Sequence, residues 1–170
     1  MVHSINTIKA KSIPLSITQA AIKRAQQFAS LQLTKEKQQQ VYLNTLAVCV
    51  VNDYMQMMEI PTDMNASDSS NQVLRLAADV ADLMLPGWGD LECRSVTPES
   101  LHSSTTPICY TPPEVPSDRI AIVIVELNPE LQQATLLGFS QTVETTELAI
   151  SQLQTIDDLR LFSTYYTDLQ

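Results

Sequence analysis

Residues 35–59 read KEKQQQVYLNTLAVCVVNDYMQMME, and the distribution of their apolar side chains decides the fold. At about 100° per residue, Leu43, Leu46, Ala47, Val50, Val51, Tyr54, Met57 and Met58 fall within one arc of a helix. Val41, Tyr42, Val48, Cys49 and Met55 fall on the opposite side, among Asn44, Thr45, Asn52, Asp53 and Gln56. A helix that is apolar on two sides needs two partners. Thr34 supplies an N-cap and Pro61 a stop, so the pattern predicts one helix over 35–59, roughly 37 Å long at 1.5 Å per residue.

Upstream, residues 16–31 place Ile17, Ala21, Ile22, Ala25, Phe28 and Ala29 in one arc and Lys23, Gln26, Gln27 and Ser30 opposite it. Ser16 or Thr18 caps this helix, and Pro14 keeps the residue before it out of the helical region. The short turn at 32–34 makes residues 1–60 a helical hairpin, with the first helix covering one side of the second and a later sheet covering the other. Residues 61–70, PTDMNASDSS, are almost all turn formers and small polar residues, so they read as a linker or long loop. Residues 71–170 form the β-rich segment, the whole making one compact domain.

Downstream, a short helical piece at 72–80 precedes a change of period. Residues 81–85 and 90–96 read as a β-hairpin around Pro86-Gly87-Trp88-Gly89, since two of the three glycines sit where positive φ is needed. Residues 97–117 hold five prolines and read as irregular. The run 120–127, IAIVIVEL, is apolar on both faces and therefore a central strand. Residues 132–143 return after a turn at Asn128-Pro129-Glu130, with Gly138 marking a bulge. Thr155 and Asp158 resemble a capping box that opens a C-terminal helix bearing Leu159, Phe162 and Tyr166 on one side. The order predicts an α+β fold: an N-terminal helical hairpin packed on a small, mainly antiparallel β-sheet, with a C-terminal helix.

A chain of 170 residues that is 44% hydrophobic has enough apolar material for a core, which excludes a disordered tail. No apolar run reaches the ~18 residues of a membrane span, and residues 1–12 lack the apolar stretch of a secretion signal, so a soluble cytoplasmic protein is expected. The net charge of −9 conceals an asymmetry. Residues 1–40 hold Lys9, Lys11, Lys23, Arg24, Lys35 and Lys37 against Glu36 alone, whereas residues 41–170 hold four arginines against 18 acidic groups. The bulk should repel nucleic acid and anionic lipid, while the basic segment should be drawn to an acidic surface, the protein's own included.

The chain carries few groups suited to catalysis. Cys93, His102 and Cys109 lack the close ligand pair and the fourth ligand of a zinc site. The other histidine, His3, lies near the terminus, and no nucleophile has an identifiable base. Glycine-rich phosphate motifs are absent. No catalytic, cofactor-binding or metal-binding residue is therefore assigned. Glu92 and Arg94 flank Cys93 on one face of a strand, which suits a salt bridge to a neighbouring strand. Trp88 in its turn and the methionines Met55, Met57, Met58 and Met64 are the apolar groups suited to a protein contact.

The succession of QVYLNTLAVCVVNDY at 40–54, VADL at 80–83, PGWGDLECR at 86–94, PPEV at 112–115, Asp118-Arg119, ATLLGF at 134–139 and the stretch 153–159 resembles an uncharacterised cyanobacterial family, domain of unknown function 1822. The resemblance implies a cytosolic cyanobacterial protein, and it implies a link to transcription factors and signalling proteins. Relatives often continue beyond the position of Gln170. The expected function is that of a non-enzymatic interaction or regulatory protein, contacting a protein partner or a second copy through Trp88, Met55, Met58, Lys23 and Arg24. Two alternatives stand beside it: a small enzyme or ligand-binding site around Glu92, Arg94, His102 and Arg119, and nucleic-acid binding through the basic N-terminal helix.

Overall fold

A computed structural model describes residues 12–66, 81–98, 108–109, 119–141 and 147–159. The described residues include two α-helices, α1 (Gln19–Ser30) and α2 (Lys35–Met57). The seven strands are β1 (Ile13–Ser16), β2 (Asp82–Leu85), β3 (Gly89–Val96), β4 (Ile108–Cys109), β5 (Arg119–Asn128), β6 (Gln133–Ser140) and β7 (Glu147–Leu148). Five strands form one sheet in the order β1-β6-β5-β3-β2, and β4 pairs with β7 in a separate ribbon. The fold is α+β.

α2 behaves as its two-sided pattern requires. Residues 44–52 are buried without exception, and the helix packs on α1 as well as on β3, β5 and β2. The polar groups inside it are partnered: Thr45 Oγ1 donates to Val41 O at 2.7 Å, and Thr62 Oγ1 donates to Asn52 Oδ1 at 2.6 Å. Thr18 and Thr34 accept from Ala21 N and Lys37 N, both at 3.2 Å, as N-caps. The helix ends two residues earlier than Pro61 alone predicts. Glu59 turns left-handed at φ 60°, its N–H donating to Gln56 O, and Ile60 N–H reaches back to Met55 O at 2.8 Å. This closes the last turn as a Schellman motif and buries Ile60.

The sheet is mixed where a mainly antiparallel one was expected. β3 and β5, at its centre, run parallel, while β1–β6, β2–β3 and β5–β6 are antiparallel. A parallel pair needs a long crossover, which residues 97–118 supply. β5 is central and buried on both faces. One face joins α2 through Leu91, Cys93, Val123, Val125, Leu136 and Phe139. The other gathers Val96, Ile122 and Ile124 under Leu148 and Leu153.

The edge strand β1 was not legible as a strand. Its four residues carry Pro14, which lacks an N–H and is tolerated because β1 is an edge strand, and their partner Gln133–Leu136 lies far along the chain. Beyond β1, the same edge of β6 is closed by Gln154, which exchanges hydrogen bonds with Phe139 at 3.0 and 2.8 Å. On the opposite edge, Asp63 bridges Met84, so the start of the 61–70 loop is tied to the sheet. Its carboxylate holds the loop by accepting from Asn65 N and Ala66 N. The helical piece at 72–80 lies outside the described residues, as do Phe162 and Tyr166. The residues expected to carry a C-terminal helix lie mostly outside the described ones; within them Asp158 N–H bonds Thr155 O and Leu159 joins the core.

Candidate functional site

Two groups of charged residues emerge. The first is built by β3 and β5 on the sheet face away from α2. Strand alternation sends Leu91 and Cys93 into the core and turns Glu92 and Arg94 to the other side. Arg119 shares the parity of Ala121 and Val123, so a regular β5 would aim it into the core. A register shift prevents this: Asp90 faces Arg119 while Leu91 faces Ala121, leaving Ile120 as the extra residue. Ile120 and Ala121 then both pack towards the core, and Arg119 emerges beside Glu92.

The result is a buried cluster of three charges. Arg119 Nη1 donates to Glu92 Oε2, and Arg94 Nε donates to Glu92 Oε1 at 2.6 Å. The salt bridge between neighbouring strands that the alternation suggested is present. Each carboxylate oxygen accepts from an arginine, and the Arg119 contact joins the two parallel strands β3 and β5. His102 and the side chain of Cys109 lie outside the described residues, so three of the four groups of the proposed ligand site come together here. Cys93 points the other way and is fully buried. Burial pushes its thiol well above the ordinary value, with Asp82 and Glu92 adding to the shift. A thiol held protonated is a poor nucleophile.

The second group lies at the turn between α1 and α2. Arg24, Phe28 and Leu31 follow one another at i, i+4 and i+7 along α1, and the Arg24 guanidinium sits 5.2 Å from the Phe28 ring centroid. Beyond them Leu31 is 49% exposed and Leu33 is 93% exposed. Lys23 and Lys35 are exposed as well. The turn that presents these leucines is held from both helices. Gln32 N–H donates to Ala29 O at 3.0 Å, Gln38 Nε2 donates to Gln32 O at 2.9 Å, and Gln38 N–H donates to Thr34 O at 2.9 Å. The Gln32 side chain is buried beneath the turn, its Oε1 without a partner.

The contact residues chosen from the sequence are distributed differently. Met55 is completely buried in the core, while Met58 and Trp88 are half-buried and pack against it. Of the methionine group Met57 is exposed, at 68%. Lys23, exposed, and Arg24, half-buried, lie on α1 about two helical turns before Leu31. Leu31 and Leu33 were missed, because 32–34 was read only as a connection. The available signal was two leucines inside a turn, where nothing in the local backbone requires an apolar side chain.

Asp53 is half-buried, and burial raises its carboxyl above the ordinary range against the lowering effect of a hydrogen bond from Asn52. Nearby, Tyr54 OH donates to Asp157 Oδ1 at 3.0 Å and ties α2 to the C-terminal segment. Among the described residues there is no group of histidine, cysteine and carboxylate side chains that could hold a metal ion, and no helix long and apolar enough to cross a membrane.

A family model described as "Protein of unknown function (DUF1822)" matches residues 15–164. No curated protein and no solved structure matches the chain.

Proposed function

We propose, for a chain that belongs to the DUF1822 family of proteins of unknown function, the role of a non-enzymatic interaction or regulatory protein that meets a protein partner at the α1–α2 turn. The observation that carries this reading is Leu33, 93% exposed in a turn whose backbone is fixed by hydrogen bonds from both flanking helices. A single exposed leucine is ordinary on a protein surface. One held in a fixed turn beside a second exposed leucine is a preordered apolar contact, and preordering lowers the entropy lost on binding.

Support for the ligand-site alternative is weaker, since both oxygens of Glu92 are taken by the protein's own arginines. The nucleic-acid alternative must contend with the 18 acidic groups after residue 40. A cytoplasmic location in a cyanobacterium and a link to transcription or signalling belong to the same proposal and rest on the family resemblance.

The test uses the full chain with a photo-crosslinking side chain at position 33 and, in a second preparation, at exposed position 133, each illuminated in extract of the native host. A discrete adduct from position 33 that position 133 does not give is the expected result. Absence of any adduct from position 33, with a strict monomer in sedimentation, would overturn the proposal.

A further inference from the structure

The α1–α2 turn is apolar at its tip and positive around it. From residue 19 to residue 37 the chain holds Lys23, Arg24, Lys35 and Lys37 against Glu36 alone, within a protein whose net charge is −9. The C-terminus of α1 and the N-terminus of α2 meet at this turn and their partial charges offset each other, so the positive field comes from the side chains. We propose that the partner element seated on this turn is an acidic amphipathic helix of another protein, its apolar side chains on Leu31 and Leu33 and its carboxylates on the surrounding cations. This rests on the reading of the turn as a protein contact and adds the chemistry of what it contacts.

Charge complementarity selects the occupant. At physiological ionic strength the Debye length is about 8 Å, so a short segment on the tip feels Lys35 and Lys37, next to the turn, more than the acidic body of the chain, and one lying back along α1 also meets Lys23. A membrane surface or a nucleic-acid duplex is extended and meets that body too, which disfavours both. Bare aliphatic tips such as Leu33 also offer nucleic-acid bases no ring to stack on. A helix suits the turn because a row of apolar side chains at i, i+3 and i+4 matches a narrow apolar feature with charge on either side.

The experiment titrates the folded full chain with a synthetic helical peptide carrying leucine at i, i+3, i+4 and i+7 and glutamate elsewhere. Parallel titrations use the same peptide with lysine for glutamate, vesicles of mixed phosphatidylglycerol and phosphatidylcholine, and duplex DNA. Saturable binding of the glutamate peptide is expected, weakening as salt rises. It should fall on the order of tenfold in Leu33→Ser and again in the double variant Lys23→Glu/Lys35→Glu, with far-UV circular dichroism unchanged. Equal binding of the lysine peptide, preference for vesicles or DNA, or indifference to the charge reversal would overturn the inference. A crosslinked adduct at position 33 that forms equally well in high salt would overturn it while leaving the protein-contact reading in place.

Discussion

Arg119 is buried and Arg94 partly so against one carboxylate on two parallel strands, whereas Lys23 on α1 and Lys35 at the start of α2 stand exposed. The same kind of charge does opposite work in the two places. In the sheet, desolvation makes each ion depend on its partner, so the cluster joins the two strands and holds the fold. At the turn the cations keep their water and cost little, so their field remains available to a second molecule. Burial separates charge that is committed to the fold from charge that stays solvated.

The sharpest way to break this comparison is Glu92→Ala. It leaves the Arg119 side chain, 3% exposed, without its carboxylate, and a loss of about 3–5 kcal/mol is expected in chemical denaturation. A loss below about 1 kcal/mol would mean that the cluster does not hold the fold.

Gly138→Ala tests the edge beside the same sheet. Gly138 has φ 145°, pairs with Ile124 beside the bulge at Leu137, and an added Cβ would overlap Gln154 O and lie 2.9 Å from Leu153 Cβ. Because the first obstacle is backbone, a cost of about 2–4 kcal/mol is expected from the same denaturation measurement. An unchanged midpoint would contradict the close crossing of Gln154.

Asp53 is an intermediate case. Its folded-state carboxyl titrates above the ordinary value, so the folded chain holds the proton more tightly than the unfolded chain does. That contribution is present below the unfolded value and is lost as pH rises through the folded one. At neutral pH the charge is therefore a net cost, and Asp53→Asn should raise stability there by less than about 1 kcal/mol, a modest figure because the group stays partly solvated. The gain should shrink as pH falls through the raised folded value and be nearly gone below about 3.9. A gain that is the same at pH 3 and pH 7 would refute desolvation as its cause.

Leu33→Ser should move stability least, within about 0.5 kcal/mol, because the side chain buries almost nothing. Its effect should appear only in partner binding. A large loss of stability would show that the turn is part of the fold and not a surface held out for a partner.

The α+β class, both helices, the 81–96 hairpin and the central strand were legible because each is encoded by a local period or a turn residue. Residues 44–52 announced a buried helix, and 120–127 a strand covered on both faces. The parallel pairing of β3 with β5 and the pairing of β1 with β6 were not legible, since neither partner carries a mark of the other. The candidate site divides the same way. Counting charge singled out Lys23 and Arg24, whereas Met55, chosen for the same contact, lies in the core because a periodicity cannot tell which of two apolar sides is covered.

The sequence by itself determined how much apolar surface each element must hide and where the positive charge accumulates. Tertiary structure alone decided which residues are left outside. Arg119 reaches Glu92 only because a one-residue shift against β3 reverses the alternation of β5, and such a shift depends on the partner strand. Leu33 is exposed only because α1 and α2 close a turn beneath it, leaving no element of the described chain to cover it.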